Sequence, residues 1–313
     1  MVETDSLTNR LRKNFRHLRR WANRQGLGAF RIYDCDIPEF PCAIDWYEGF
    51  AHVLYYPPRR IRRTGLNPAQ HQIIEAVRTG LEVPSERIFV KTHVPMKWGE
   101  EQYRRLARTS KEQAVREGDL EFWVNLTDYV DSGLFLDHRL TRARIRSEAR
   151  GKQFLNLFSY TGSFTVYAAA GGAASTTSVD LSRAYLDWAK RNLALNRLDH
   201  GKHAFIQADV LEWIEEARGN AYDLILLDPP SFSASKKMRR AFEVQRDHAR
   251  LLERATALVA AGGSLYFSTN FRGFRLEFRP PAGFGLEELT PDSIPEDFRR
   301  KDVHRCWCFR RRA

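Results

Sequence analysis

Cysteine is scarce in this chain: 313 residues carry four, Cys35, Cys42, Cys306 and Cys308. None falls in the pair-of-pairs spacing that holds zinc, so no thiolate metal frame is expected, and no metal. Cys306 and Cys308 sit two apart in an apolar run and share one face, as buried thiols of a reducing compartment would. Long apolar runs are missing as well. None approaches ~18 residues, which excludes a membrane-spanning helix and a membrane partner. The opening MVETDSLTNR has no apolar stretch of the signal-peptide kind, so a cytoplasmic protein is expected. No G-x-G-x-x-G turn occurs, so a pyrophosphate-binding dinucleotide site lacks its glycines. There is no internal repeat and no low-complexity segment.

Acidic residues are outnumbered. Lys and Arg total 50 against 39 Asp and Glu, a formal charge of +11. That balance points to a polyanionic partner, most simply nucleic acid. The basic residues are clustered. Arg10, Arg12, Lys13, Arg16, Arg19, Arg20 and Arg24 form one run, and Arg59, Arg60, Arg62 and Arg63 a second. Arg139, Arg142, Arg144, Arg146 and Arg150 form a third, and Lys236, Lys237, Arg239 and Arg240 a fourth.

Leu7, Leu11, Phe15, Leu18 and Trp21 recur at helical spacing, which predicts a helix over 6–25 with arginine on its other face. Strands are expected over 29–33, 43–46, 51–56 and 87–92. A helix over 68–80 has Asn67 as cap and Pro68 in its favoured first position. Residues 93–119 are polar and charged and read as a linker. A hairpin of 122–126 with 133–136 is expected to lead into a second unit. From Gln153 onward the pattern becomes strand–helix alternation, with strands at 154–158, 176–179, 203–207, 222–227 and 264–268. After the fourth of these, one long helix reaches about Val259. Repeated βαβ units predict a parallel, doubly wound α/β sheet, closed by a short-linked antiparallel pair over 286–289 and 303–309. The domains expected are 1–115, small, α+β and RNA-binding, and 116–313.

The strands of the second unit end in chemistry. Tyr222–Leu227 reads as a fully buried strand and runs into Asp228-Pro229-Pro230-Ser231-Phe232. The two prolines cannot extend a ladder, so a rigid acidic-aromatic loop follows the strand. Asn156, Asp180 and Asp209 stand at the ends of the three preceding strands. Each alone reads as a strand-end or capping residue. Four at one sheet edge fit a nucleoside-containing cofactor without pyrophosphate, S-adenosylmethionine: Asp180 for the ribose hydroxyls, Asp209 for an adenine amino group. In the first βα turn, Gly162 lets the backbone approach a ligand beside helix N–H groups. Trp188, Trp213, Phe205 and Tyr222 fall at core spacing and read as packing.

Nearly the whole chain, residues 9 to 308, carries longer matching stretches. They include NRLRKNFRHLRRWA, WVNLTDYVDSGLFLDHR, FLNLFSYTGSFTV, YDLILLDPPSFSASKKM and FSTNFRGFR. In these it resembles the class I methyltransferases, and within them the 23S rRNA guanine-N7 methyltransferase half of the bacterial bifunctional rRNA large-subunit methyltransferases. The resemblance implies a seven-stranded, Rossmann-like sheet with its last strand antiparallel. It implies S-adenosylmethionine as cofactor, and 23S rRNA or a pre-50S particle as partner. The separate guanine-N2 half of that family is absent, so a free-standing N7 enzyme is expected. By the same resemblance Asn156, Phe158, Ser159, Tyr160 and Gly162 line the methionine part of the cofactor. Asp180 with Leu181 holds the ribose, and Asp209 with Val210 the adenine. Asp137, His138 and Arg139 cover the cofactor, and Arg139 pairs with its carboxylate or with an RNA phosphate. Asp228, Pro229, Pro230 and Phe232 face the target base.

Guanine N7 carries no proton, so such transfer needs no general base. Cytosine-C5 methylation would need a thiolate. A related rRNA methyltransferase group keeps a cysteine after strand five, where this chain reads Phe267-Ser268-Thr269-Asn270-Phe271. Two alternatives stay open: methylation of an exocyclic amine (guanine N2 or adenine N6), and a non-catalytic rRNA-binding assembly factor.

Overall fold

The computed structural model describes residues 2–57, 68–93, 112–129, 131–198, 202–219, 221–234 and 240–313. Asn67, the arginines at 59–63, Lys236, Lys237, Arg239 and most of the expected linker lie outside the described residues. The chain divides into two compact units. The first takes in the described residues up to Ser132 together with Glu296–Arg300, and the second takes in Gly133–Pro295 and Lys301–Ala313.

The first unit opens with α1 (Val2–Arg24) and continues through β1 (Ala29–Asp34), β2 (Cys42–Tyr47), β3 (Phe50–Tyr55), α2 (Pro68–Leu81) and β4 (Ile88–Thr92). The strands pair in sequence order, antiparallel except for β3 with β4. Leu7, Leu11 and Trp21 of α1 join Ile73 and Val77 of α2 and Phe30, Ile44 and Val53 of the sheet in one core. That leaves Arg10, Arg12, Lys13, Arg16, Arg19, Arg20 and Arg24 exposed on the far side of α1.

A hairpin completes this unit, and it is not the expected one. β5 (Glu112–Glu117) pairs with β6 (Leu120–Asn125) across Gly118, whose φ of 69° suits a tight turn. Gly133–Leu136 is no strand. The EQAVRE of β5 hid its character because only Val115 and Glu117 turn inward. The hairpin groups with the first unit, although a boundary at 115/116 was expected. Leu27 bridges Glu117, Gly28 N–H donates to the Arg116 carbonyl, and Gln113 Nε2 donates to the Tyr47 carbonyl.

The second unit runs α3 (Arg139–Glu148), β7 (Gln153–Leu157), α4 (Ser163–Ala170), β8 (Ser175–Asp180), α5 (Arg183–Leu195), β9 (His203–Gln207), α6 (Val210–Glu216) and β10 (Tyr222–Leu227). Two-residue strands β11 (Phe232–Ser233) and β12 (Phe242–Glu243) precede α7 (Val244–Ala257), so the single long helix expected there is interrupted. Then come β13 (Val259–Thr269), β14 (Phe284–Glu288), α8 (Thr290–Ser293) and β15 (Arg305–Arg311). The seven-stranded sheet has the order β14-β15-β13-β10-β7-β8-β9. β13, β10, β7, β8 and β9 are parallel, while β15 runs antiparallel to both β13 and β14.

Successive residues of the central strands serve opposite faces. Phe154, Leu224 and Leu226 pack with Ile145 of α3 and Phe164 of α4. Leu155, Leu157, Ile225 and Leu227 pack with Ile214 of α6 and Leu251 of α7. Two covered faces explain why YDLILL shows no polar alternation. The strand order reverses direction between β7 and β10, and open α/β sheets bind ligands outside the carboxyl ends of strands at such a reversal. No described helix is long and apolar enough to cross a membrane.

Leu155 is fully buried at the centre of this sheet. Leu155→Ala is expected to lower unfolding free energy by about 2–5 kcal/mol, through lost transfer energy and a cavity. Urea titration of the two proteins measures it.

Candidate active site

The turn after β7 is wound tightly. Phe158 and Tyr160 hold φ of 59° and 49°, in the left-handed region that side chains rarely enter, and Gly162 follows at 73°. A Cβ on Gly162 would stand 2.5 Å from the Ala189 Cβ, so packing and conformation both demand glycine there. The turn is fixed from several sides. Ser159 N–H donates to the Val179 carbonyl (3.1 Å), and Tyr160 N–H donates to Asp180 Oδ2 (2.9 Å). Thr161 Oγ1 donates to the Gly133 carbonyl (2.5 Å), and Asn192 Nδ2 to that of Thr161 (2.9 Å). Strain of this kind persists only where surrounding structure holds it, and it gathers at binding sites.

Asp180 ends β8 with only 7% of its surface exposed. Its Oδ1 accepts the Ser182 N–H while Oδ2 accepts that of Tyr160. Burial raises its pKa from 3.8 to about 6, against the lowering effect of these two hydrogen bonds. Asp209 is buried and caps α6, its Oδ1 accepting Leu211 N–H at 3.0 Å; Val210 behind it belongs to the core. Asn156 is also buried, and its Nδ2 donates to Thr165 Oγ1, which meets Ser178. Phe158, Tyr160 and Leu181 are half-buried. Ser159 Oγ is buried and has no hydrogen-bond partner among the described residues. An open hydroxyl, a carboxylate with spare lone pairs and half-buried apolar groups on a strained turn fit an adenosyl group with an amino-acid tail.

Asp228, at the end of β10, accepts the Ser268 hydroxyl on Oδ1 at 2.5 Å. Its Oδ2 lies 3.6 Å from His138 Nε2. Ser231 donates to Asn270 Oδ1 at 2.6 Å, so the loop after β10 is tied twice, to the end of β13 and to the loop beyond it. Pro229 is buried, and Pro230 and Phe232 are half-buried. β11 carries Phe232 and is braced by β12, and Val244 N–H donates to the Ser231 carbonyl. Phe135 and Phe271 are exposed aromatics, at 37% and 40%, and Phe135 lies 5.2 Å from the Tyr160 ring.

Beside the expected cover residues Asp137, His138 and Arg139 stands a group not legible beforehand, His304. His304 Nδ1 donates to Asp137 Oδ2 at 2.8 Å, and the His304 and His138 rings stack 4.5 Å apart. Arg139 is 5% exposed and Arg142 fully buried, so the third basic run is not one solvated phosphate-facing cluster. Arg142 instead donates to the Phe135 carbonyl at 2.7 Å and lies over the rings of Phe164 and Tyr167. Cys306 is nearer than its number suggests: it stands opposite Ser268 across the β13–β15 pair. It is fully buried, and burial first, then Cys308 and the Asp228 charge, push its thiol far up. A thiol so held is no nucleophile. All four cysteines are free.

A family model described as S-adenosylmethionine-dependent methyltransferase matches residues 106–279. The ribosomal RNA large subunit methyltransferase K of Neisseria meningitidis serogroup B is 45% identical, over 100% of this chain and 89% of that protein. The ribosomal RNA large subunit methyltransferase K/L of Hahella chejuensis is 48% identical over 97% of this chain, which spans only 42% of it. A solved methyltransferase structure complexed with SAH superposes with a TM-score of 0.79, over 98% of this chain and 81% of that one. At 22% identity it speaks for the fold alone.

Were the ionised Asp180 carboxylate to hold the cofactor, binding would be present above about pH 6 and lost below it. S-adenosylmethionine affinity, followed by calorimetry, is expected to weaken about tenfold per unit below that pH. Asp180→Asn should flatten the profile. The sign for folding is opposite. A raised pKa favours the protonated carboxyl, so this contribution to stability is full below 3.8 and lost as pH rises through about 6.

Proposed function

The chain belongs to the S-adenosylmethionine-dependent methyltransferase family, and we propose that it forms N7-methylguanosine in domain V of 23S rRNA. The observation that carries the rRNA reading is its 45% identity, along its full length, to a ribosomal RNA large subunit methyltransferase. The exposed basic face of α1 supports an RNA partner, either 23S rRNA or a pre-50S particle, and cytoplasmic work. On this reading the first unit serves RNA docking and the second the chemistry.

When bound, S-adenosylmethionine supplies an electrophilic methyl on a sulfonium. The strained turn with Ser159, Tyr160 and Gly162 would seat its amino-acid tail, Asp180 its ribose and Asp209 its adenine. Phe232 stacks on the target guanine, a contact worth about 1–3 kcal/mol per base. Asp228 accepts from guanine N1–H or N2, which holds the base and offsets the positive charge that grows as N7 is alkylated. N7 carries no proton, so these residues act by placing the lone pair in line with the methyl. A paired guanine would first have to leave its stack.

Methylation of guanine N2 or adenine N6 is the second reading, favoured by one observation: Asp228 has a buried imidazole 3.6 Å away, a route for an amine proton. Mass spectrometry of 23S rRNA from a strain lacking this protein separates the two. Loss of one N7-methylguanosine is expected; loss of an N2- or N6-methylated base supports the second reading, and an unchanged profile refutes both.

Asp228→Ala should abolish methyl transfer while leaving cofactor affinity intact, and equal loss of both would move Asp228 into the cofactor site. Affinity for rRNA should fall steeply with salt, since phosphate contacts release counterions. A filter-binding series read as log affinity against log salt gives the slope, and a flat line counts against RNA docking.

A further inference from the structure

Beside Asp228 lies a run of polar side chains built from Asp137, His138, Ser293 and His304. His304 (1% exposed) meets Ser293 Oγ with Nε2 at 2.9 Å and donates from Nδ1 to Asp137 Oδ2. His138 (3% exposed) lies parallel to it, with Phe164 against its edge. His138 Nε2 faces two carboxylates at once, Asp137 Oδ2 at 3.8 Å and Asp228 Oδ2 at 3.6 Å. Its other nitrogen, Nδ1, is buried with no hydrogen-bond partner among the described residues.

The protonation follows from these surroundings. Burial lowers the His138 pKa, more than Asp228 and Asp137 raise it, and His304 and Arg142 lower it further. A neutral imidazole carries one proton, and the two carboxylates place it on Nε2. The bare Nδ1 is then an unused acceptor, which costs less than an orphaned N–H. The Nε2–H edge is thus turned toward both carboxylates, and the bare Nδ1 toward the interior.

We propose that His138 is the positioning residue for Asp228: its Nε2 edge, turned toward Asp137 Oδ2 and Asp228 Oδ2, backs the Asp228 carboxylate and aims it at the base. The Ser268 hydroxyl holds Oδ1 at 2.5 Å, and the His138 ring stands 3.6 Å behind Oδ2. The stack on His304, itself tied to Asp137 and Ser293, holds the His138 ring in place. The charged and titratable groups facing this pair are Asp137, His304, Arg142 and the inert Cys306. Asp137, His138 and His304 come within metal-ligand reach of one another. The two imidazole planes, however, differ by only 11°, so their in-plane lone pairs run side by side instead of converging on an ion.

The inference rests on the base-facing reading of Asp228, and one set of assays separates the two. Methyl transfer to 23S rRNA from a strain lacking the protein is measured from pH 5.5 to 9, together with S-adenosylmethionine affinity and thermal stability. His138→Phe keeps the ring and its packing but removes the donor. It should lower kcat for methyl transfer roughly tenfold, with KM for the rRNA and thermal stability at their wild-type values. His138→Gln, which restores an N–H donor at similar reach, should return the wild-type kcat. Wild-type kcat in His138→Phe overturns the role given to His138, as does chelator-sensitive activity restored by zinc. Full activity in Asp228→Ala overturns instead the reading of Asp228 on which it stands.

Discussion

The carboxylate of Asp180 draws in backbone N–H groups from two directions, from Ser182 on its own strand end and from Tyr160 on the neighbouring turn. Much of the site depends on that clasp. Tyr160 could not rest at positive φ without a fixed acceptor for its amide, and the turn that presents Ser159 would relax toward ordinary geometry. The cost is visible in the raised pKa, because a carboxylate taken this far from water resists ionisation. The fold thus holds, at the end of β8, a charge it does not favour.

What could be read in advance followed physical locality. The apolar run Tyr222–Leu227 and the acidic di-proline loop after it are local statements, and the structure places both as read. The seven-stranded sheet and its antiparallel closing pair followed from strand–helix alternation and from the resemblance. The failures are tertiary. Positive φ at Phe158 and Tyr160 has no signature in a stretch without glycine, because acceptors on β8 impose it. β5 looked like linker because its inward residues are one valine and one glutamate. His304 joined the site from far along the chain, and its partners Asp137 and Ser293 are tertiary contacts that no sequence pattern announces.

Charge clusters show the same limit from another side. The runs on α1 and α3 look alike in sequence. On α1 the basic residues occupy one helical face, and a complete apolar stripe turns the other inward, so the guanidinium groups reach water. On α3 the stripe is incomplete, and Arg139 and Arg142 fill inward positions where a hydrocarbon would ordinarily sit. Arg142 then does structural work, tethering the Phe135 carbonyl at the start of the second unit. Counting arginines gives an upper bound on the surface available to a polyanion, and helical phase decides how much of it survives.

The pairing of Ser268 with Cys306 has a wider meaning. A sulfur atom stands one strand away from the residue that grips Asp228, so proximity does not separate this sheet edge from covalent thiolate chemistry. Solvation does. On β13 the side chain at the strand end reaches the acidic loop, while on β15 its neighbour is sealed in the core, where a thiolate cannot form. On this sheet edge, which of two adjacent strands bears the sulfur decides whether it meets the acidic loop or the apolar core.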